Sequence, residues 1–246
     1  MSRRIGIPDK TGRPVGLDGD MRHADLPVFP ADCAWRSSVA RLCNAFGHAK
    51  ARAINAGTTR MRIIAGQHKG RALNAPKGMS TRPTSDRTRE SLFNVIVHAE
   101  WAPPIDGARV IDLFAGSGAL GLEAMSRGAA FCLFVETDHG ARGAIRDNIE
   151  ALGLFGNTRL HRRSATDLGA KPAGLGGPFT LAFLDPPYHK DLVQPALACL
   201  VRGNWLAEDA LVIVETGADE ALMFPGWTVI DSRDYGAAKV SFLKQA

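Results

Sequence analysis

A glycine-rich turn joins a short apolar run to a second apolar segment in the stretch Arg109-Val110-Ile111-Asp112-Leu113-Phe114-Ala115-Gly116-Ser117-Gly118-Ala119-Leu120-Gly121. The β-branched pair before the turn predicts a buried strand, and residues 120–127 predict a helix that ends at Gly128. Glycines let a ligand approach the backbone closely, next to the partial positive charge of a helix N-terminus. The stretch therefore predicts an α/β fold with a ligand site at the carboxyl end of this strand.

The same turn fits two kinds of ligand. Residues 116–121 spell G-x-G-x-x-G, and Glu136 ends the next apolar run twenty residues beyond Gly116, which matches a dinucleotide fingerprint. Asp112, however, places a negative charge where a pyrophosphate would lie. S-adenosylmethionine fits better, with its ammonium near Asp112 and its ribose diol held by Glu136. A turn that merely packs a helix onto a strand is the third alternative.

A second motif, Asp185-Pro186-Pro187-Tyr188, follows the apolar run at residues 179–184. The prolines fix the backbone and remove two N–H donors, so carbonyl acceptors remain. The Asp185 carboxylate and the Pro186 carbonyl can accept both N–H groups of an exocyclic amine, and Tyr188 offers a stacking face to a flipped base. Orienting a weakly nucleophilic amine and stabilising its developing charge are contributions an enzyme can make. Together the motifs predict methyl transfer to a nucleobase amine.

With these motifs, the chain resembles the RsmD-like family of 16S ribosomal RNA guanine-N2 methyltransferases. The resemblance runs from Met61 almost to the C-terminus and also rests on three segments: Met61-Arg62-Ile63-Ile64-Ala65-Gly66, Lys69-Gly70-Arg71 and Thr81-Arg82-Pro83-Thr84-Ser85-Asp86-Arg87-Thr88-Arg89-Glu90-Ser91-Leu92-Phe93-Asn94. It implies a Rossmann-like class I S-adenosylmethionine-dependent methyltransferase fold. The expected sheet has seven mostly parallel strands with the last strand antiparallel, preceded by a basic N-terminal hairpin.

The resemblance also implies a reaction and a set of site residues. The expected substrate is a guanine of 16S rRNA within an assembling small ribosomal subunit, methylated on N2 by a cytoplasmic monomer that needs no metal and no membrane. The catalytic residues would be Asp185, Pro186 and Tyr188. The S-adenosylmethionine contacts would be Asp112, Phe114, Gly116, Gly118, Glu136, Ser164, Ala165 and Thr84. The substrate contacts would be Lys69, Arg71, Arg82, Arg89 and Pro187.

One position departs from the family pattern. After the third predicted strand, family members usually carry Asp or Asn followed by Ala, and that side chain contacts the adenine of the cofactor. Here Ser164 precedes Ala165, and Asp167 follows three residues after Ser164. Either Ser164 makes a weaker contact, or Asp167 replaces it through a shifted turn.

The charge of the chain is unevenly distributed. Residues 62–89 hold seven Lys and Arg against one acid, whereas residues 90–246 hold thirteen against nineteen acids. A basic segment at 62–73 with a central turn predicts a hairpin carrying Lys69 and Arg71, which is suited to gripping phosphates. A merely solvated charged hairpin is the alternative. Arg82, Thr84 and Arg89 would face either the methionine end of the cofactor or the RNA.

The predicted organisation is an extension at 1–60 and one methyltransferase domain at 61–246. Within the domain we expect the hairpin at 61–80, the family-specific segment and helix at 81–100, and the α/β core at 109–246. Helices are predicted at 87–98, 120–127, 141–152 and 191–201. Strands are predicted at 109–114, 131–135, 158–163, 179–184 and 211–215, with a closing hairpin at 227–231 and 240–243. Four cysteines without Cys-x-x-Cys spacing indicate reduced thiols.

The first sixty residues carry ten bases and five acids. They suggest an RNA-binding arm, a targeting segment, or an extension upstream of the true start at Met61. Five acids and the lack of an apolar core segment weigh against targeting. We favour the upstream start, which predicts that removing residues 1–60 leaves methyl transfer intact.

Three rival functions remain. An adenine-N6 methyltransferase would use the same tetrapeptide at 185–188, and only residues 81–94 separate it from the guanine enzyme. A non-catalytic ribosome-assembly factor would keep the hairpin and tolerate the loss of Asp185. An NAD oxidoreductase would bind a different cofactor at the glycine-rich turn.

Overall fold

The computed structural model describes residues 61–76, 86–220 and 222–246. The interpretations placed on residues 1–60, and on Arg82 and Thr84, therefore lie outside the described residues. Four α-helices are present in this part of the chain: α1 (Asp86–His98), α2 (Ala119–Ser126), α3 (His139–Leu152) and α4 (Val193–Arg202). The strands are β1 (Arg109–Leu113), β2 (Phe131–Val135), β3 (Thr158–His161), β4 (Phe179–Leu184), β5 (Leu206–Gly217), β6 (Trp227–Tyr235) and β7 (Ala238–Gln245).

The strands form one seven-stranded sheet in the order β3-β2-β1-β4-β5-β7-β6. The first five pair in parallel, and the last strand, β7, runs antiparallel to both β5 and β6. The predicted α/β architecture with an antiparallel last strand is confirmed. The strand order reverses between β1 and β4, and open α/β sheets bind ligands at such a switch point, beyond the carboxyl ends of the strands.

Two apolar layers cover the two faces of the sheet. Along β1, β2, β4 and β5 buried side chains alternate between the layers, as the two-residue period of a strand requires. Helices α1, α2 and α3 pack in the first layer, and α4 packs in the second. The central strands are covered on both faces, which explains why their sequences are continuous apolar runs rather than alternating ones.

Local signals set the element ends, with small differences from the predicted bounds. The Asp138 carboxylate accepts a hydrogen bond from Ala141 N and caps α3, which therefore begins at His139. Helix α4 begins two residues later than predicted because Asp191 has a positive φ of 52°. Helix α2 has its C-cap at Arg127, and Gly128 follows in the left-handed region. Strand β3 ends at His161, two residues short of its prediction.

Residues 61–73 form the expected hairpin, in a compact form with a single ladder bridge between Arg62 and Ala72. Ile63 N donates to Arg71 O, and Leu73 N donates to Met61 O. Within the described ranges, no helix is long and apolar enough to cross a membrane.

Candidate active site

Four carboxylates from four adjacent strands mark one edge of the sheet. The register pairs Leu113 with Val135 and with Leu184, so β1, β2 and β4 end at the same level, and it pairs Leu184 with Val214 of β5, which continues to Gly217. Asp112 and Glu215 occupy strand positions that alternate with residues of the second apolar layer, which places them on the first face of the sheet, and Glu136 and Asp185 directly follow β2 and β4. The four carboxylates belong to Asp112, Glu136, Asp185 and Glu215. Acidic groups thus surround the point where strand order reverses.

The glycine-rich turn after β1 has left-handed backbone conformations at three positions: Phe114 with φ 60°, Gly116 with φ 54° and Gly118 with φ 77°. The backbone conformation of Phe114 costs conformational free energy, because a residue with a side chain disfavours the left-handed region. Such strain is concentrated at functional sites. Gly116 N donates to Glu136 Oε2 at 2.8 Å, and Asp138 N donates to Oε1 at 2.8 Å. The two bonds fix the Glu136 carboxylate beside the turn.

Asp112 is a buried carboxyl with 2% exposure. Its Oδ2 accepts a hydrogen bond from Gly121 N in α2 at 2.9 Å. Burial raises the pKa of Asp112 to about 8; the Gly121 bond opposes that rise, and the nearby Glu136 charge adds to it. Residues 114–118 carry no basic side chain. The charge at this turn therefore favours a cationic ligand group over a phosphate, because a cation would stabilise the ionised Asp112.

The turn after β3 contains the two residues expected to face the adenine. Ser164 is exposed, and its hydroxyl lies 2.8 Å from the Thr166 hydroxyl and accepts a bond from Thr166 N at 3.2 Å. Ala165 is buried in the second apolar layer. Asp167 is exposed, and its backbone N donates to Ser164 O, which closes the turn. Both alternatives for the adenine contact remain predictions.

The tetrapeptide at 185–188 leaves β4 directly. Asp185 is half-buried, Pro186 is buried and Pro187 is exposed. The half-buried Tyr188 donates its hydroxyl hydrogen to Glu215 Oε1 at 2.8 Å. Because Glu215 belongs to β5, this bond fixes the aromatic ring relative to the sheet edge.

A second carboxylate holds the chain that follows the tetrapeptide. Glu220 Oε1 accepts a bond from His189 N at 2.5 Å, and its Oε2 accepts one from Gly217 N at 2.6 Å. His189 has a positive φ of 57°, which this bridge helps to maintain. The imidazole nitrogens lie 3.7 Å from Asp219 and 3.8 Å from Glu220. The loop is therefore tied to the end of β5 at two successive residues.

The basic hairpin is anchored beside the glycine-rich turn. Lys69 and Arg71, the hairpin residues expected to contact substrate, are exposed, and Arg71 Nη2 donates to the backbone oxygen of Ala151 at 2.7 Å. Glu123 of α2 is fully buried; its carboxylate accepts bonds from Ile64 N at 2.7 Å and Ala65 N at 3.0 Å.

One buried side-chain amide links the segment after the hairpin to the glycine-rich turn. Asn148 Nδ2 donates to Asn74 O and to Ser117 O, each at 3.0 Å, while Asn74 N donates to Asn148 Oδ1 at 2.7 Å. The side chain of Asn148 therefore joins the segment that follows the hairpin to the glycine-rich turn.

Arg89 does not lie where a substrate contact was expected. Its side chain is 0% exposed, and Nη2 donates to Arg62 O at 2.6 Å and to Asp86 Oδ1 at 2.8 Å. Its Nε and Nη1 are buried without a hydrogen-bond partner among the described residues. This guanidinium instead connects the start of α1 to the hairpin.

Sequence reasoning missed Glu123, Glu215 and Glu220. The local signal for Glu215 was present, since it is the acidic residue after an apolar run, as Glu136 is. Glu123 carried no such signal, because its partners are 58 and 59 residues away along the chain.

Comparison with known proteins identifies the family of this chain. Residues 61–244 match the family described as conserved hypothetical protein 95. The chain belongs to this family. Ribosomal RNA small subunit methyltransferase D of Escherichia coli strain K12 is 39% identical over 168 residues, which cover 68% of this chain and 80% of that protein. The protein of the same name from Haemophilus influenzae is 36% identical over 178 residues, covering 72% and 89%.

Solved structures agree with these relatives. The Escherichia coli protein yhhF is 33% identical, has a TM-score of 0.63, and is matched over 76% of this chain and 98% of that one. The resemblance to the RsmD-like family is thereby confirmed, and the chain is a methyltransferase of the class I fold.

Proposed function

We propose that this protein methylates the exocyclic N2 amine of a guanine in 16S ribosomal RNA, using S-adenosylmethionine. The observation that carries the proposal is the position of the 185–188 tetrapeptide. It leaves β4 at the switch point of the sheet, beside the β1 turn. Relatives named ribosomal RNA small subunit methyltransferase D support the RNA substrate.

The residues at the β1 turn fit S-adenosylmethionine. Bound there, the cofactor would supply a methyl group made electrophilic by a sulfonium. Glu136, held by two backbone amides, has acceptor capacity left for a ribose diol because each carboxylate oxygen accepts more than one bond. Asp112 is a buried carboxyl that a ligand ammonium would stabilise in its ionised form. Phe114, Gly116 and Gly118 shape the backbone between them.

The tetrapeptide supplies the groups that act on the base. The Asp185 carboxylate and the Pro186 carbonyl accept the two N–H groups of the amine, which aligns its lone pair and leaves a base to receive the proton that the nitrogen loses. Tyr188 provides the stacking face, oriented by its bond to Glu215. Pro187, exposed at the loop tip, lies against the nucleotide.

The remaining parts of the site serve the RNA. Lys69 and Arg71 contact phosphates from the exposed hairpin, as a cationic element on an otherwise acidic body would.

Ser164 or Asp167 contacts the adenine of the cofactor. The substrate is RNA within an assembling small ribosomal subunit. The protein acts as a cytoplasmic monomer, and its domain at 61–246 carries the activity. Thr84 and Arg82 complete the cofactor and substrate contacts.

The test is transfer of labelled methyl from S-adenosylmethionine to unmethylated small subunits and to protein-free 16S rRNA, followed by nucleoside analysis. We expect label in N2-methylguanosine. Asp185→Asn should lower kcat roughly 100- to 1000-fold, the loss typical when one preorganised group facing developing charge is removed. Asp209→Asn, at an exposed residue near the start of β5, is the matched control and should be neutral.

Two results would contradict the proposal. Label in N6-methyladenosine would be consistent with the same active site but would show that the target base is adenine rather than guanine. Full activity of Asp185→Asn would show that the tetrapeptide does not take part in methyl transfer as proposed.

A further inference from the structure

The stretch from the end of α3 to the turn after β3 differs in charge from the rest of the core. Residues 151–166 hold three arginines and no acid, whereas residues 90–246 together hold thirteen Lys and Arg against nineteen acids. The three are Arg159, Arg162 and Arg163, and all are exposed. Because β3 is an edge strand of the sheet, one side of this stretch borders solvent.

The three guanidinium groups have donors left for a ligand. Arg159 and Arg163 each use Nη1 for one backbone oxygen, at 2.8 Å and 3.0 Å. Within residues 61–76, 86–220 and 222–246, none of the three forms a salt bridge. Arg233 on the opposite edge strand, β6, pairs with Asp231 at 2.8 Å. A guanidinium has five N–H donors in a fork that matches phosphate oxygens.

An exposed aromatic ring lies in the same stretch. Phe155 is 60% exposed, and it is the one exposed Phe, Tyr or Trp side chain in the part of the chain that the structure describes. It begins a single 3-10 turn, Phe155–Asn157, that leads directly into β3. A ring beside cations is typical of sites for single-stranded nucleic acid, where bases stack on the ring and cations contact the phosphates.

This stretch lies between the hairpin and the proposed cofactor site. At its first residue, Ala151 O accepts the hydrogen bond from Arg71 Nη2 of the hairpin. At its other end, Glu136 N donates to His161 O at 3.1 Å, so Arg162 follows beside the proposed ribose contact. The four residues of β3 span about 13 Å between these ends. The basic surface of the hairpin thus continues along the β3 edge.

We propose that residues 151–166 form a second RNA-binding surface, in which Arg159, Arg162 and Arg163 contact phosphates and Phe155 stacks on an unpaired base. This inference rests on the proposed function for the identity of its ligand, RNA, and extends the contact beyond the hairpin and the target base. The simpler alternative is that the arginines are solvated charges that keep an edge strand from pairing with another sheet. That alternative predicts no change in RNA affinity when they are removed.

The test measures binding of protein-free 16S rRNA at several salt concentrations with S-adenosylhomocysteine present, so the readout needs no methyl transfer. Combining Arg159→Gln, Arg162→Gln and Arg163→Gln should raise Kd roughly 10- to 100-fold at about 0.1 M salt. The slope of log affinity against log salt should become shallower by about 2–3, because each phosphate contact contributes about 0.7–0.9. Phe155→Ala should weaken binding roughly 5- to 150-fold at an unchanged slope, the range for one stacked base, and Phe155→Tyr should restore it.

Arg233→Gln is the matched control for Arg162→Gln. Both remove one exposed arginine at an edge of the sheet, but Asp231 already neutralises Arg233, so only Arg162→Gln should change the salt slope. A combined variant with the Kd and slope of the wild type would overturn the inference. Weaker binding of S-adenosylhomocysteine at unchanged RNA affinity would assign the arginines to the cofactor and also overturn it. Methyl transfer to a base other than guanine would overturn the proposed function and leave the binding result standing.

Discussion

Removing the Glu123 carboxylate should detach the hairpin from the domain. This fully buried side chain accepts three hydrogen bonds: from Ile64 N at 2.7 Å, from Ala65 N at 3.0 Å, and from Arg127 Nε at 2.8 Å. In Glu123→Ala the two amides and the guanidinium lose their shared acceptor.

The size of the effect follows from those three bonds. Each buried donor left unsatisfied costs about 1–3 kcal/mol, and breaking a buried ion pair by deleting one partner costs about 3–5 kcal/mol. Local opening lets water reach the two amides, so the losses do not add in full. We expect Glu123→Ala to lower the free energy of unfolding by about 3–5 kcal/mol, a large share of the 5–15 kcal/mol typical of a domain.

The assay is urea denaturation followed by circular dichroism, with hydrogen exchange at the amides of Ile64 and Ala65. Glu150→Ala is the matched control, because Glu150 is an exposed glutamate on α3. Glu123→Gln retains one oxygen and should lose less than the alanine variant. An unfolding free energy within about 1 kcal/mol of the wild type, with both amides still protected, would refute the anchoring role.

Two further perturbations test the site's framework. Because the pKa of Asp112 is raised to about 8 in the folded protein and is near 3.9 in an unfolded chain, the folded state binds more protons between these values. Without cofactor, the unfolding free energy should therefore fall by several kcal/mol as pH rises from about 4 to about 8, and Asp112→Asn should flatten this slope in urea titrations. Gly121→Ala would place a methyl 2.5 Å from the Phe134 ring and 2.6 Å from Cys132 Sγ, so a loss of about 1–3 kcal/mol is expected in thermal melting. Gly143→Ala, with nothing within 4 Å of the added carbon, should be neutral or stabilising by up to about 1 kcal/mol; equal effects of the two changes would contradict the packing argument.

The parts of the structure that sequence predicted are those with local signals. An acidic residue at the end of an apolar run identified Asp112, Glu136 and Asp185, because strand and turn lie within one short stretch. The closing hairpin was predicted at 227–231 and 240–243 and is longer in the structure. Strand β5 also begins earlier than predicted, because Leu206 already pairs with Phe179 of β4, ahead of a register shift that leads to the Leu181–Leu211 pair.

The parts that sequence did not predict depend on contacts between distant residues. Arg89 was predicted to contact substrate, and no role was predicted for Glu123, yet both side chains are fully buried. Their burial is decided by backbone groups of the hairpin, which reach them only after the chain has folded. The Tyr188–Glu215 bond likewise joins residues 27 positions apart.

The Asn148 amide has a consequence for how the enzyme orders its two ligands. Its Nδ2 donates to the carbonyl of Ser117 in the glycine-rich turn, the proposed cofactor site, and to that of Asn74 beyond the hairpin, the proposed RNA contact. A ligand that rigidifies one of these segments lowers the entropic cost of ordering the other, and the gain is the same in either direction. The donor and the RNA should thus bind with positive cooperativity, each strengthening the other's affinity, and a neutral side chain remote from the chemistry would transmit it.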